Sequence, residues 1–416
     1  MSLLTQASLV LTPTSYKANK LYSVVPSNGN GDLTTTRATT ATRINSSGLV
    51  ENVATGIPRV DYTNGVANIL LEPQRTNLSL YSSEFNNAYW TKNNSTISAN
   101  LVTSPDGTTT ADKIVSNLFT GRIAVSKIFT VTANVKNTFT IYAKAAEWNR
   151  ICIFHDATTF SEGSFYGGGT VVNLLTGVSS NPSITKSTSV GNGWYRIETS
   201  ATPTITSHNI AIVPFAPSTT DVNAVVGDGV SGIYIWGSQM ETGSYATSYI
   251  PTATSTVTRN QDLASVSSVS SLIGQTEGVM FIESAALAND LTRRVLSISD
   301  GTADNRIFIR YEVTSNTISA FGVVGGVSFA NQINYTLSDE TQYAKIALRY
   351  RVNDITLWIN GAKRGVDTTS QILPSNLSRL AFDRGDSTDI FYGKVKSAQL
   401  YKTYLTDAEM ASLTTL

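Results

Sequence analysis

The feature that most constrains the fold of this chain is the recurrence of short strand-like segments separated by turn residues. Residues 138–143, 150–154 and 170–174 are apolar or Thr-rich, and Gly, Asn and Ser are frequent between such segments. Thr and Val favour strands because their branched Cβ atoms pack well on a pleated surface, whereas Ser, Asn and Gly favour turns. Segments of this length and spacing are typical of antiparallel β-sandwiches, so the sequence predicts an all-β protein.

The length of the chain, 416 residues, exceeds that of one ordinary sandwich and indicates several domains. We predict two antiparallel β-sandwiches, over residues 76–258 and 259–416, joined by a Thr/Ser-rich linker that begins at Pro251. Residues 1–75 are rich in Thr, Asn and Gly and show little periodicity. We expect this irregular segment to be ordered against a partner, and the alternative is a flexible extension.

Charge is sparse and balanced along the chain. Charged residues make up 14% of the sequence, and the 30 basic residues are balanced by 30 acidic ones, so the formal net charge is zero. No basic cluster of the kind that follows a phosphate backbone is present, so we do not expect a nucleic-acid partner. The single cysteine, Cys152, excludes an intramolecular disulfide framework. The N-terminus lacks a signal-peptide pattern and no apolar run has the length of a bilayer span, so we predict no membrane insertion.

Three runs near the N-terminus occur in a recognisable order: TRATTATR at residues 36–43, IPRVDY at 57–62 and LLEPQRTNL at 70–78. Their order resembles a linker signature of tailed-bacteriophage structural proteins. The residues that follow, up to Trp90, resemble the opening of a carbohydrate-binding-module-like jelly roll. The runs GNGWYR at 191–196, WGSQME at 236–241 and ATSYIP at 246–251 resemble its closing strands.

The C-terminal third resembles a different type of sandwich. ITLWING at residues 355–361 and LYKTYLTDAE at 400–409 are similar to strands of laminin-G-like, concanavalin A-type domains. In the second run we predict that Thr406 caps a short C-terminal helix and that Glu409 completes the capping box. Met410 and Leu413, three residues apart, are expected to pack on one face of that helix.

These resemblances imply a virion appendage of the fibre, spike or head-fibre type. Its N-terminal segment would attach to other virion proteins, and its sandwiches would adhere to glycans of the host or its surroundings. The resemblance also implies a homo-oligomer, with a trimer favoured, in which weak sugar sites gain from multivalency. Such a virion protein is assembled in the bacterial cytoplasm and released by lysis. The alternatives are a purely structural decoration or tail-assembly protein and a polysaccharide depolymerase.

The sequence contains no catalytic signature. Its two histidines, His155 and His208, lie far apart, and neither a Gly-x-Ser-x-Gly elbow nor metal-ligand spacing accompanies them. The Glu-x-Asp-x-Glu strand of concanavalin A-type glucanases, which places carboxylates on one sheet face, is also missing. We therefore predict a protein that is not an enzyme and has no catalytic residues.

Sugar binding calls for an aromatic ring that stacks on a pyranose and for polar groups that bind its hydroxyls. Among the five tryptophans, Trp194 and Trp236 lie in strands with apolar neighbours, so we predict that both are in the core. Trp148 has polar neighbours at an expected strand edge, and Trp90 is placed at the core or its rim. We take Trp148 and Trp90 as candidate glycan contacts.

Alternation in the last sandwich predicts a further candidate surface. The inward residues of two consecutive segments are expected to be Ile346, Leu348, Tyr350, Val352, Ile355, Leu357 and Ile359. The opposite face then carries Trp358 and Asn360 together with Arg349 and Arg351. We predict that this face binds a sugar or an acidic glycan. The alternatives are an Arg stacked on Trp as surface cover and a face buried against a neighbouring subunit.

Two Asp-rich loops are weak candidates for calcium, and we predict no other cofactor. Calcium prefers oxygen ligands on turns, which these loops supply. The same residue types also fill turns without any ion. The candidate ligands are Asp300, Asp304, Asp383, Asp386 and Asp389.

Overall fold

A computed structural model of the chain describes residues 3–155, 169–216, 218–219 and 221–416. In this part of the chain every pair of named strands is antiparallel, and the strands form two stacked sandwiches. The prediction of an all-β, antiparallel sandwich protein is confirmed. The described helices, four and eight residues long, fall short of what crossing a membrane requires.

The N-terminal residues form one helical turn and eight strands, with a 3-10 turn at Thr63–Gly65. These elements are α1 (Leu3–Gln6), β1 (Leu9–Lys17), β2 (Lys20–Val25), β3 (Thr34–Thr36), β4 (Ala41–Ile44), β5 (Val50–Val53), β6 (Val60–Asp61), β7 (Asn68–Leu71) and β8 (Arg75–Asn77).

The first sandwich is built from thirteen described strands, two of which, β12 and β20, form a separate ribbon. The strands are β9 (Thr91–Asn93), β10 (Ser95–Val102), β11 (Ala111–Ser116), β12 (Thr120–Gly121), β13 (Ala124–Thr130), β14 (Asn137–Ala145), β15 (Arg150–His155), β16 (Gly169–Asn173), β17 (Thr185–Ser189), β18 (Trp194–Ala201), β19 (Ser207–Phe215), β20 (Val225–Val226) and β21 (Gly232–Thr242). A six-stranded sheet, in the order β10-β11-β21-β14-β18-β17, packs against a five-stranded sheet, in the order β16-β15-β19-β13-β9. Ile141, Ile197 and Ile212 are among the fully buried residues between the sheets.

The second sandwich contains most of the remaining strands, and a 3-10 turn lies at Ser270–Leu272. These elements are β22 (Val257–Arg259), β23 (Leu263–Ser267), β24 (Glu277–Ala286), β25 (Arg294–Ser299), β26 (Arg306–Tyr311), β27 (Thr317–Val324), β28 (Val327–Ser328), β29 (Ile333–Thr336), β30 (Ala344–Arg351), β31 (Asp354–Ile359), β32 (Ala362–Asp367), β33 (Arg379–Ala381), β34 (Gly393–Tyr401) and α2 (Asp407–Thr414). One sheet runs β2-β1-β34-β24-β30-β31-β32, and the facing sheet runs β28-β27-β26-β25-β33-β23-β3.

The N-terminal strands complete both sheets of this second sandwich. Strand β1 pairs with β34 through Leu9 and Leu400, β7 also pairs with β34, and β3 pairs with β23. The side chains of Leu9, Leu11 and Ile69 are fully buried in the core of the second sandwich. The expectation that residues 1–75 need a partner to become ordered is therefore wrong, because their apolar residues pack against the C-terminal part of the same chain. Their role in virion attachment stays a prediction.

The C-terminal helix begins as the sequence predicts. The Thr406 hydroxyl accepts from the Glu409 backbone N–H at 3.3 Å, and the Glu409 carboxylate accepts from the Thr406 N–H at 2.8 Å. This capping box satisfies backbone donors that the first helical turn leaves free. Met410 and Leu413 are buried against the outer face of the sheet that contains β30 and β31. Both predictions about this helix are confirmed.

A buried network of charged residues joins the two sandwiches. Glu72 accepts from Arg59 at 2.6 Å and from Arg259 at 2.5 Å. Asp262 in turn accepts from Arg59 and from Arg37, the latter at 2.8 Å. We call these five residues the junction network, and each is no more than 4% exposed.

Each of the three N-terminal runs contributes one charged residue to the junction network. Arg37, Arg59 and Glu72 each come from a different run, and Arg259 and Asp262 begin the second sandwich. Burial alone would raise the pKa of the Glu72 carboxyl, but the guanidinium groups of Arg259 and Arg59 hold it well below its usual range. The runs that resemble a phage linker are therefore an internal structural element of this protein.

The predicted linker is part of the same junction. Strand β22 pairs with β8 in a short ribbon, with Val257 opposite Asn77. The first sandwich contributes Ser248, which donates to Glu72 through its backbone N–H and its hydroxyl, both at 2.7 Å. The residues between the sandwiches are thus tied down by hydrogen bonds at both of their ends.

Candidate functional site

The structure buries all five tryptophans. Trp90 and Trp148 lie in the core of the first sandwich and are 1% and 5% exposed, so neither offers a ring to a sugar. The Trp90 indole N–H donates to the Tyr81 carbonyl at 3.2 Å. The prediction that these two residues contact a glycan is corrected by their burial. Trp194 and Trp236 are buried, as predicted.

The predicted face around Trp358 is covered. The alternation itself is confirmed, because Ile355, Leu357 and Ile359 lie in the main core and Trp358 points to the opposite side. On that side helix α2 covers the ring, and Trp358 is only 5% exposed beside Met410. The face is therefore a small second core, and the prediction of a sugar-stacking surface there is wrong.

The polar residues of that face support the helix instead of a ligand. Arg349 is buried and donates to the Leu405 carbonyl at 2.9 Å and to Asp407 at 2.7 Å. Arg351 lies 3.8 Å from the centroid of the Tyr404 ring. These contacts hold the start of α2 against the sheet.

Asn360 of the predicted surface and Val352, predicted to face inward, both belong to turns. Asn360 has a φ of 50° and accepts from the Lys345 backbone N–H at 2.9 Å. Val352, predicted to face inward, is 47% exposed because strand β30 ends at Arg351. The Asn360 side chain thus holds a turn, and its contact with a glycan stays a prediction.

The Asp-rich loops use their carboxylates to close their own turns. Asp300 accepts from Thr302 and from Asn305, and Asp386 accepts from Arg384 and from Thr388. Asp383 is held by Arg379, while Asp304 and Asp389 lie on the same two loops. In the described ranges no three His, Cys, Asp or Glu side chains are grouped as they would be around a metal ion. Calcium binding at these two loops stays a prediction.

The two histidines meet inside the first sandwich. Nδ1 of His155 lies 3.0 Å from Nε2 of His208, and Nε2 of His155 lies 2.9 Å from the Thr199 hydroxyl. Burial and the neighbouring His208 ring lower the pKa of His155 to about 3, so it is neutral at ordinary pH. Burial raises the pKa of the nearby Cys152 thiol to about 12. These residues fill the core of the sandwich.

A groove lies on the outer face of the six-stranded sheet. We call it the outer groove. Its floor is formed by the outward residues of β14, β17 and β18, which include Tyr142 and Arg196. Hairpin β4–β5 and the loop at residues 103–110 flank it, and the second sandwich closes one end. Two cavities, of about 540 Å³ and about 390 Å³, lie along the groove and are both lined by Val190.

The smaller cavity lies between the sandwiches. The Arg196 guanidinium lies 5.6 Å from the centroid of the Tyr142 ring and donates to the Thr247 carbonyl at 2.6 Å. Tyr343 and Lys394 line it from the second sandwich. This end of the groove therefore combines the part-exposed ring of Tyr343 with cationic groups from both sandwiches.

The larger cavity is more apolar. Leu49, Leu101 and Val190 line it, and Lys144 contributes a cation. Trp194 is beneath it, with the indole N–H donating to the Thr103 carbonyl at 3.1 Å. Both cavities fall within the range of about 300–1,000 Å³ that is usual for small-ligand sites.

The acidic residues of the groove are already engaged by the protein. Asp61 is buried and accepts from the backbone N–H groups of Ile44 at 2.8 Å and Thr63 at 2.9 Å. Glu198 accepts from the Ala246 N–H at 2.9 Å, and Glu72 belongs to the junction network. Each of these carboxylates therefore has a partner within the protein.

Sequence reasoning missed this groove because its residues are scattered from position 42 to position 394. One local signal was present. Trp194, Arg196 and Glu198 occupy every second position of one strand, so they lie on the face opposite the buried Ile197. An aromatic and two charged side chains on one outer sheet face indicate a candidate binding surface.

No protein-family model and no curated protein matches the chain. Among solved structures, the chain is similar to the CBM40 domain of the Ruminococcus gnavus IT-sialidase bound to alpha2,3 sialyllactose, with 14% identity and a TM-score of 0.29 over 34% of this chain and 84% of that one. It is similar to domain 4 of AbnA, a GH43 extracellular arabinanase from Geobacillus stearothermophilus in complex with arabinotriose, with 10% identity and a TM-score of 0.31 over 41% and 82% of the two chains. Likeness at this level transfers no ligand to this chain.

Proposed function

We propose that this protein binds glycans through the outer groove and catalyses no reaction there. The observation that carries the proposal is the pair of cavities on one sheet face, which hydroxyl groups, amide groups and cations line together with the part-exposed ring of Tyr343. Rings and hydrogen-bonding side chains are the groups that sugar recognition requires. Thr188, Thr341 and Gln342 add groups that hydrogen-bond to sugar hydroxyls.

We further propose that the protein is a phage appendage protein, on the basis of the resemblance of its three N-terminal runs. In this proposal a homo-oligomer, with a trimer favoured, presents several grooves at once on the virion. Multivalent presentation raises overall avidity well above the affinity of one site, which suits adhesion to a repetitive polysaccharide. Other virion proteins are the expected partners of the N-terminal segment.

A second candidate function is that of a purely structural virion component. It is favoured by an exposed apolar patch at one end of the first sandwich. Leu118, Val226 and Val230 are 83%, 69% and 65% exposed on or beside the β12–β20 ribbon. Exposed apolar patches of this kind are typical of protein–protein contacts.

The proposal is tested by incubating the labelled full-length protein with an array of bacterial surface glycans. A Val190→Trp variant fills the groove between the two cavities, and a Val366→Trp variant, at a half-exposed position of β32, is the matched control. Saturable binding that Val190→Trp abolishes and Val366→Trp retains would support the proposal. If no glycan binds at high micromolar, multivalent concentrations, the proposal is wrong for those glycans and the structural function is favoured.

A further inference from the structure

We infer that the outer groove selects acidic glycans, meaning polysaccharides whose sugar rings carry carboxylates. This inference rests on the proposed function of the groove and adds the chemical class of its ligand. It is carried by the arrangement of cationic and acidic groups along the two cavities.

Three lysines of the groove have no ion-pair partner among the described residues. Lys144 comes from β14, Lys186 from β17 and Lys394 from β34. The first two belong to the first sandwich, and Lys394 approaches from the second. The cations thus line the groove from both sandwiches and stand at both of its cavities.

The full set of charged groups in the groove favours an anion. The cations are Arg43, Lys144, Lys186, Arg196 and Lys394, and the carboxylates are Asp61, Glu72 and Glu198. Glu72 is neutralised by Arg59 and Arg259, and Arg43 is paired with Glu51 at 3.3 Å.

The other two carboxylates of the groove, Glu198 and Asp61, do not balance the charge of its lysines. Glu198 lies opposite Lys186 on the neighbouring strand, so the Glu198 carboxylate offsets part of the positive charge of Lys186. Asp61 is buried beneath backbone donors. Among the described residues no carboxylate oxygen lies within 4.0 Å of the Lys144 or Lys394 ammonium group, and a groove with low-dielectric walls concentrates their field on a ligand.

The same surface argues for a sugar carboxylate over a dense polyanion. Glu198 and Asp61 would repel a closely spaced phosphate backbone, whereas a carboxylate can accept hydrogen bonds from sugar hydroxyls. Hydroxyl and amide groups of Thr188 and Gln342 lie among the cations. The groups that line the groove therefore suit a polysaccharide that has more hydroxyl groups than carboxylates.

The test uses polygalacturonate, hyaluronate and polysialic acid, each paired with its carboxyl-reduced derivative. Reduction replaces the charge by a primary alcohol and keeps the sugar chain. We expect at least one acidic member to bind about tenfold more tightly than its reduced form, and binding to weaken as salt rises from about 0.05 M to about 0.5 M.

The variant Lys186→Gln with Lys394→Gln removes two groove charges with little change in side-chain length. Its control is Lys17→Gln with Lys402→Gln, which changes two exposed lysines that have no ion-pair partner in the described chain. We expect the groove variant to lose about tenfold in affinity for the acidic polymer and the control to lose less than about twofold.

The possible results distinguish failure of this inference from failure of the proposed glycan-binding function on which it rests. Groove-dependent binding of neutral glycans, unaffected by the lysine variant, would overturn the inference and leave the proposed function standing. Absence of binding to every polymer and array glycan would overturn both. Equal affinity for single-stranded DNA would show attraction to any polyanion and would overturn the assignment to sugar carboxylates.

Discussion

Arg59 and Arg259, separated by 200 positions in the sequence, donate to the same oxygen of Glu72, at 2.6 Å and 2.5 Å. This shared oxygen ties an N-terminal run to the start of the second sandwich, and Ser248 adds the end of the first sandwich to the same carboxylate. Glu72 also lines the smaller cavity of the outer groove, which lies between the two sandwiches that this carboxylate connects.

Replacing Glu72 by Gln should be strongly destabilising. The substitution leaves two buried guanidinium groups without their shared counter-charge, and breaking a buried ion pair from one side costs about 3–5 kcal/mol. Urea denaturation measures the free energy of unfolding, and Glu51→Gln, which removes a partly exposed partner of Arg43, is the control. A loss below about 1 kcal/mol would show that the junction network contributes little.

The His155–His208 pair should make the protein sensitive to acid. The folded state lowers the pKa of His155 from 6.5 to about 3, so below pH 6.5 the unfolded chain binds more protons than the folded one. Stability from this group is therefore present above pH 6.5 and is lost as the pH falls towards 3. We expect the urea midpoint to fall across this window and to fall less in His155→Gln. Equal slopes for both proteins would contradict the assignment.

Truncating Trp358 should affect folding without affecting recognition. Trp358→Ala opens a cavity beneath α2, and such changes in a core cost about 3–5 kcal/mol. Thermal unfolding measures this loss, and glycan affinity measured well below the transition should be unchanged. If the variant kept its stability but lost glycan binding, the ring would be a ligand contact after all.

Thr406→Ala should loosen the C-terminal helix. The substitution removes the hydroxyl that accepts from Glu409, and loss of an N-cap costs about 1 kcal/mol. Hydrogen exchange of the backbone amides of α2 is the measurement, with Thr403→Ala at an exposed position as the control. Unchanged exchange in α2 would mean that packing by Met410 and Leu413 alone holds the helix.

Local patterns were sufficient to predict part of this structure. Alternation assigned Ile355, Leu357 and Ile359 to the core, and residue spacing located the capping box of α2. Both depend on residues close together in the sequence, where strand and helix periods determine which side chains share a face.

Local patterns could not predict which side chains are buried by segments that lie far away in the sequence. Trp358 faces away from the main core as expected, but the helix that buries it begins at Asp407. The outer groove likewise requires β4–β5, β17–β18 and β34 to converge, and no local period records that convergence. The N-terminal runs were noticed through resemblance, while their physical role emerged only from the buried contacts of Arg37, Arg59 and Glu72.

The pairing of β1 with β34 has a consequence for synthesis of the protein. Leu9 leaves the ribosome before its partner Leu400, and the whole first sandwich lies between them in the sequence. The intervening first sandwich can close early as an inserted domain, but until β34 arrives β1 has only β2 as a partner and β7 has only β6. Contacts so distant in sequence form slowly, so a ribosome that stalls before β34 would hold a chain in which the second edges of β1 and β7 are exposed.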